Sequence, residues 1–378
     1  MNMRSKRFIL LLISALLAFS LAGCKFDIPT DSEDVTVSDA SAIITSDLPE
    51  TEATDATDAT EPGEPGLLDY FPLTPDVFCD YAGTGNEFAA RTTEVEYVWP
   101  DMIQIVSDNA GGESHMLYAV RDGKVEAIQI AFDLFAREDL SLLIPVSYGE
   151  ILLQEPLVVG TSWDVTSGIS TITNLHATVT TPMGTYDALE VTTESLGSTS
   201  TKYYVAGIGF VKLVVVGDSY EVTQELQART VGTARTEMRT FYYPRTTDTD
   251  VEIVYQTTPI QMFTNDSFAD VLTEHFRTSP AAGIQPLMTA NSSVQSMHQD
   301  PDSRIVTIDL SANFVTETNV GSNMEGAILQ CIANTAGSAY NAQEVIITLD
   351  GQPYTSGHIV YGAGETIEVD YDGVILIS

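Results

Sequence analysis

Alternation of apolar and polar residues between residues 67 and 232 restricts the fold of this chain more than any other feature. Around residue 224 one face is largely apolar and the other polar, with Tyr220, Val222, Leu226 and Ala228 against Glu221, Thr223, Glu225 and Gln227. This period of two is typical of strands with one buried face. Turn dipeptides such as Gly111-Gly112 and Asp122-Gly123 recur at hairpin intervals. The segment predicts an antiparallel β-rich domain, a curled sheet or partial barrel, in which only residues 131–143 have a pattern compatible with a helix.

The pattern changes after Ala228, where apolar residues recur at helical spacing in two places. These series are Phe268, Val271, Leu272 and Phe276, and then Met324, Ala327, Ile328, Cys331 and Ile332. Asp266 or Ser267 is expected to cap the first helix, and Ser322 with Glu325 to form a capping box on the second. Gly337 is expected to end the second helix. Strands predicted at 304–310 and 344–349 complete a small two-helix α+β domain with a split βαβ arrangement, so the fold class is α+β, with both helices on one sheet face.

The first 24 residues have the pattern of a signal peptide. Arg4, Lys6 and Arg7 precede an apolar run of 16 residues from Phe8 to Gly23, shorter than the roughly 20 that a membrane-spanning helix needs. The run ends in Leu-Ala-Gly-Cys24, which resembles the bacterial lipobox. In that family the cysteine thiol takes a diacylglycerol and becomes the first mature residue. The resemblance implies that Cys24 is a lipid attachment site; the alternative is an ordinary secretory signal with an unrelated cysteine.

Residues 25–66 have the composition of a solvated tether. Between 26 and 66 there are twelve acidic residues and no basic one, and three-residue repeats such as Thr54-Asp55-Ala56 are followed by Pro and Gly. Like charges and prolines keep such a segment open, because it has little apolar surface to bury. The predicted organisation is therefore a signal peptide at 1–24, a tether at 25–66, a first domain at 67–235 and a second domain at 236–378.

Charge and cysteine content exclude several classes of partner. The chain has 53 acidic and 16 basic residues, a formal net charge of −37. Nucleic acids and anionic lipid headgroups both need a basic protein surface, so neither is an expected partner. Three cysteines cannot build a disulfide scaffold or a four-thiolate zinc site. Cys79 and Cys331 lie in different predicted domains, and we do not expect a disulfide between them.

Motifs of catalysis are also absent from the sequence. The five histidines show no short metal-ligand spacing, and neither a Gly-x-Ser-x-Gly elbow nor a phosphate-binding lysine loop occurs. We expect no catalytic residue, no cofactor and no metal site, and the chain is interpreted as a non-enzyme. An enzyme that hydrolyses wall glycans with a pair of carboxylates remains an open alternative, because the sequence does not give the distance between two carboxylates.

Two further resemblances concern the globular part. Tyr70-Phe71-Pro72-Leu73, the segment 156–160 with Trp163, and the segment 181–186 resemble a β-rich module of clostridial and bacillar lipoproteins. The block Val306-Thr-Ile-Asp-Leu-Ser-Ala-Asn-Phe314 and the segment 345–351 resemble the GerMN domain, over roughly residues 238–370. That family occurs in sporulation and spore-germination lipoproteins. Its fold is similar to ring-building motifs of secretion systems, which implies assembly at the envelope.

Together these features predict a lipid-anchored cell-envelope protein of a Gram-positive bacterium, on the outer face of the cytoplasmic membrane. The protein is expected to associate with the membrane through the lipid anchor at Cys24. The GerMN resemblance implies a role in sporulation or germination, with protein partners in the envelope or spore coat region, and leaves an oligomer open. The alternative is a carrier that binds an apolar or lipid ligand in the β-rich domain, which would require a cavity of several hundred Å³ inside the sheet.

Overall fold

A computed structural model describes residues 64–132, 134–143 and 149–377. Cys24, the signal peptide and nearly all of the predicted tether lie outside the described residues. None of the described helices is long and apolar enough to span a membrane.

The first domain contains one antiparallel sheet of twelve strands. The strands are β1 (Val77–Thr84), β2 (Arg91–Val98), β3 (Met102–Asn109), β4 (Gly112–Arg121), β5 (Lys124–Phe132), β6 (Glu150–Gln154), β7 (Ser162–Val165), β8 (Gly168–Thr181), β9 (Gly184–Ser195), β10 (Ser198–Val205), β11 (Gly209–Gly217) and β12 (Glu221–Val231). Their order is β6-β5-β4-β3-β2-β1-β12-β11-β10-β9-β8-β7. Each strand pairs with its neighbours in the chain, except that β6 and β7 are the two end strands and that β1 also pairs with β12 in the middle of the sheet. The predicted antiparallel β-rich domain is confirmed.

The sheet curls until its two end strands approach each other. Trp163 on β7 donates a hydrogen bond from its indole Nε1 to the backbone carbonyl of Ile151 on β6, at 3.1 Å. Apolar side chains from strands at both ends of the sheet meet inside the curl, and the buried set includes Val125, Leu153, Ile172, Leu189 and Tyr204. A single helical turn, α1 (Leu67–Tyr70), adds Leu67 and Tyr70 to this cluster. The interior of the sheet is therefore packed with side chains.

The second domain has two sheets and three helices among its described residues. The elements are β13 (Arg235–Thr246), β14 (Val251–Met262), α2 (Phe268–Arg277), β15 (Val294–Gln299), β16 (Val306–Leu310), α3 (Asn313–Thr318), α4 (Ser322–Tyr340), β17 (Glu344–Leu349), β18 (Gln352–Pro353), β19 (Ile367–Glu368) and β20 (Ile375–Leu376). One sheet has the order β13-β14-β20; the other is β15-β16-β17-β18, with β19 also on β17. Parallel β16 and β17 are joined through α3 and α4, as the predicted split βαβ arrangement requires.

Helix α4 lies between the two sheets, which corrects the expectation that both helices cover one sheet face. It contacts β13 of the first sheet and β17 of the second. The backbone N–H of Tyr242 on β13 donates to Thr335 Oγ1, at 3.1 Å. Cys331, Ile332 and Asn334 are all fully buried. A helix buried on opposite sides shows little amphipathic contrast, so one apolar stripe in its sequence does not reveal the second contact face.

The predicted ends of the helices are right for α2 and wrong for α4. Ser267 caps α2, because its Oγ accepts a hydrogen bond from the backbone N–H of Ala269. The N-cap of α4 is Gly321, without a side-chain cap, so the Ser322–Glu325 capping box is not formed. Gly337 lies within α4, where a Cβ atom would meet Val369 at 2.4 Å. The helix continues to Tyr340 and ends at Asn341, which has a left-handed φ of 50°.

The segment after β5 crosses to the second domain instead of forming the helix predicted over 131–143. Strand β5 runs to Phe132, and the helical content is one 3₁₀ turn, Leu140–Leu142. Ala136 is buried in the core cluster of the second domain. Arg137 donates from Nη1 to the carbonyl of Phe263, at 2.6 Å. These contacts and a hydrogen bond from Leu140 N to Gln104 Oε1 favour an irregular path over a local helix.

A buried polar network lies where this segment meets the sheet. Glu96 on β2 is 1% exposed, and its Oε2 accepts from Gln104 Nε2 at 2.8 Å and lies 2.9 Å from His115 Nδ1. Nitrogen atoms of Arg137 and Arg235 lie 3.9 Å from its Oε1. Burial alone raises the pKa of the Glu96 carboxyl, but the hydrogen bond and charge of His115, the Gln104 bond and Arg137 outweigh it and hold the pKa below its ordinary value. The network joins strands β2, β3, β4 and β13 and the segment after β5 around one ionised carboxylate.

Candidate functional site

A cavity of about 260 Å³ opens in the second domain between α3, the first turns of α4 and the residues after β18. Its floor is made by buried side chains, Phe314, Tyr354, Ile328 and Glu325. Its rim is made by exposed residues, Thr316, Asn319, Gly357 and His358. The cavity therefore has a buried bottom and an accessible mouth.

The block 306–314 contributes Phe314 to this cavity, and its other residues play a structural part. Asp309 Oδ1 accepts hydrogen bonds from Thr348 Oγ1 at 2.5 Å and from the backbone N–H of Gly351 at 2.8 Å, which ties β16 to the turn after β17. Ser311 Oγ accepts from the backbone N–H of Ser293, at 2.9 Å. The chain then enters α3 and places Phe314 at the cavity floor.

The opposite wall is a turn that its own serine organises. Ser356 Oγ accepts hydrogen bonds from the backbone N–H groups of His358 at 3.0 Å and Ile359 at 2.9 Å. The backbone N–H of Tyr361 donates to the carbonyl of Tyr354, at 2.9 Å. This turn fixes the backbone of Gly357 and His358 at the mouth.

The polar group at the floor is a carboxylate hydrogen-bonded to a phenol. The Tyr354 hydroxyl donates to Glu325 Oε1 at 2.8 Å, and Glu325 is 5% exposed. Burial raises the pKa of the Tyr354 hydroxyl, and the Glu325 carboxylate raises it further, so the phenol stays protonated and remains a donor. Glu325 also lies in the first turn of α4, where the helix dipole stabilises a negative charge.

No cation neutralises this carboxylate within the part of the chain that the structure describes. The ion pairs found there involve other acids, and the basic residue among those that line the cavity is His358 at the rim. A buried charge is costly unless it is paired. The arrangement is therefore suited to binding a positively charged group.

The groups at the floor are one carboxylate, one phenol and apolar side chains, which is not a nucleophile with a base. Over residues 64–132, 134–143 and 149–377, no group of three or more histidine, cysteine, aspartate or glutamate residues is placed to hold a metal ion.

A second cavity, of about 390 Å³, opens between β14 and α2. It is lined by residues that include Ile260, Val271 and His275. The His275 ring stacks on Phe241 with ring centroids 4.2 Å apart, and burial lowers the pKa of this imidazole. This opening has no buried charged side chain at its floor, so the Glu325 cavity is the stronger candidate for recognition.

The sequence predicts Cys24 as the site residue and Glu325 as part of a capping box, so it does not predict the position of Glu325 at the cavity floor. The predicted lipid attachment residue, Cys24, lies outside the described residues. Cys79 and Cys331 are both buried and free, as expected. The signal that could have identified Glu325 is its position three residues before Ile328 and four before Leu329, on the apolar stripe of α4. An acid in register with such a stripe is buried by the same packing.

Comparison with known proteins finds a family similarity over the domain that contains this cavity. Residues 240–355 match the family model Germane, described as "Sporulation and spore germination". The matched range includes Phe314, Glu325, Ile328 and Tyr354. A comparison with curated proteins finds no match.

Solved structures with a detectable likeness are remote in sequence. The tandem GerMN domains of the sporulation protein GerM from Bacillus subtilis are 17% identical, with a TM-score of 0.26, over 34% of this chain and 45% of that chain. An exported protein with a YmcC-like fold from Bacteroides fragilis is 12% identical, with a TM-score of 0.31, over 43% and 98%. A protein described as a lipoprotein from Clostridium perfringens is 15% identical, with a TM-score of 0.22, over 36% and 88%. The family match therefore covers residues 240–355 of the second domain, which are similar to the Germane family.

Proposed function

We propose that this protein is a non-enzymatic, lipid-anchored component of the cell envelope that acts in sporulation or spore germination through protein–protein assembly by its Germane domain. The observation that carries the proposal is the match of residues 240–355 to the Germane family. The signal pattern ending at Cys24 and the acidic segment 25–66 support presentation of the domain at a distance from the membrane. The cavity over Glu325 provides a recognition feature on that domain.

The alternative function, transport of an apolar or lipid ligand inside the curled sheet, is not favoured by the geometry. Side chains such as Leu153, Ile172 and Leu189 are fully buried inside the curl. Both cavities described above lie in the second domain.

Deletion of the gene in its spore-forming host is expected to lower the yield of heat-resistant spores or to slow their germination. The measurement is the count of heat-resistant colonies after sporulation, together with the loss of optical density that accompanies germination. Expression confined to vegetative growth, with both readouts unchanged by deletion, would contradict the proposed process.

Cys24→Ala is expected to abolish membrane anchoring, because the thiolate is the nucleophile that takes the lipid. Two or more acyl chains give stable anchoring, so their loss should move most of the protein from the membrane fraction. The measurement is membrane fractionation with metabolic labelling by a tagged fatty acid. Cys79→Ala is the matched control, since its buried thiol is far in sequence from the lipobox, and it should keep the label. A label that persists in Cys24→Ala would place the lipid elsewhere.

A further inference from the structure

We propose that the Glu325 cavity binds the ammonium group of a lysine side chain that a partner polypeptide presents. This inference rests on the proposed function, because it assumes that the Germane domain acts by binding other proteins. It assigns the cavity floor to the ammonium group, the walls to the aliphatic stem and the rim to the partner backbone.

The size of the cavity favours one side chain over a small-molecule ligand. Cavities that enclose a drug-sized ligand measure roughly 300–1,000 Å³. This cavity measures about 260 Å³. It is below that range, and its mouth is open to the surface at Asn319, Gly357 and His358. A side chain that enters from a partner would fill it while the partner's backbone stays outside.

The charge of the floor selects a cation. Glu325 is nearly fully buried and has no cationic partner in the described part of the chain. The Tyr354 hydroxyl donates to Oε1, which leaves Oε2 to accept from a group in the cavity. The net charge of −37 also draws basic segments toward the protein and raises the rate of encounter.

The hydrogen bond from Tyr354 favours lysine over arginine. A guanidinium binds a carboxylate best when both oxygens accept from its planar fork. Here Oε1 already accepts from a buried phenol that is fixed in place. An ammonium group is a compact point charge with three donors, so it needs only Oε2 and can reach other acceptors nearby.

The walls fit the stem of the same residue. Phe314, Val315, Val320 and Ile328 give the cavity an apolar lining above the carboxylate. Lysine has a four-carbon stem that gains from contact with apolar surface while its head reaches a polar group. At the mouth, the exposed residues Gly357 and His358 lie where a partner backbone would pass.

The test uses the full chain in detergent and three probes: Nα-acetyl-lysine, Nα-acetyl-arginine and Nα-acetyl-norleucine, each as the N-methylamide. Saturation-transfer NMR of the probes gives their affinities. We expect the lysine probe to bind about tenfold more tightly than norleucine, which has the same stem without the charge, and more tightly than arginine. Glu325→Gln should reduce lysine binding to the norleucine level. Asp108→Asn removes one charge from an exposed site in the first domain and should leave binding unchanged.

A second variant keeps the test informative if Glu325→Gln is unstable. A Cβ atom at Gly357 would meet no heavy atom within 4 Å, so Gly357→Trp is expected to fold and to obstruct the mouth. It should abolish binding of all three probes. Equal binding of lysine and norleucine, or lysine binding that survives both Glu325→Gln and Gly357→Trp, overturns the proposal.

These results separate the cavity from the proposed function. Lysine binding that depends on Glu325, in a strain whose sporulation and germination are normal after deletion, supports the cavity and contradicts the proposed process. A sporulation defect after deletion, with no lysine binding at Glu325, contradicts the cavity and leaves the proposed process supported.

Discussion

Replacing Ile328 by aspartate is expected to unfold the second domain. Ile328 is 3% exposed on α4 and packs in the core that this helix forms with the sheets. The new carboxylate would lie at the buried floor of the cavity beside Glu325, without a cationic partner, and its desolvation costs several kcal/mol. A domain of this size has only about 5–15 kcal/mol of stability to lose. Loss of a thermal transition in circular dichroism is the measurement.

Ser322→Asp is the matched control for Ile328→Asp, because it adds the same charge at an exposed position in the first turn of the same helix. The helix dipole tolerates an acid there, so its melting should be close to wild type. If the second domain is a separate unit, the first domain keeps its own transition in Ile328→Asp. One shared transition that is lost as a whole would contradict the predicted boundary near residue 235, and unchanged stability would mean that Ile328 does not pack in the core.

Replacing Glu96 by alanine is expected to destabilise the protein by about 3–5 kcal/mol, the usual result of removing one partner from a buried ion network. Arg137 and His115 would remain buried without the carboxylate that they surround. The measurement is urea unfolding followed by fluorescence of Trp99 and Trp163, both of which are in the first domain. Glu87→Ala, at an exposed position of the same domain, is the control and should change stability little. A Glu96→Ala protein as stable as the control would show that the network contributes nothing.

The contribution of Glu96 to stability is expected to depend on pH, and the direction follows from its pKa. The pKa of Glu96 is lowered from its ordinary value of 4.5 by folding. Glu96 therefore contributes stability above the unfolded pKa, and this contribution is lost as the pH falls through the folded value. Between pH 5 and lower pH, wild type should lose more stability than Glu96→Gln, which has no carboxyl to titrate at this position. Parallel curves for the two proteins would contradict the assignment.

Short-range sequence patterns are sufficient to predict the elements that depend on local periodicity and local capping. Alternation identified the antiparallel β-rich domain, because a strand places successive side chains on opposite faces whatever its partners are. Helix α2 and its Ser267 cap, strand β17 and the burial of Ile328 and Cys331 follow from the same short-range rules. The sequence of residues 306–314 resembles the GerMN domain, and in the structure Asp309 of this block has a structural role.

Features that depend on residues far apart in the chain become visible in the three-dimensional structure alone. The pairing of β1 with β12, the path of residues 134–143 into the second domain and the network around Glu96 are made by contacts between distant segments. Helix α4 acquired a second contact face because β13 and β14 cover the side opposite β16 and β17. The sequence pairs Glu325 with Ser322, three residues away, in a helix cap. In the structure Glu325 lies at the floor of a cavity, where the hydroxyl of Tyr354, 29 residues later in the chain, donates to its carboxylate. Periodicity in a sequence shows that a residue is buried, whereas the partner that buries it is set by the packing of the whole chain.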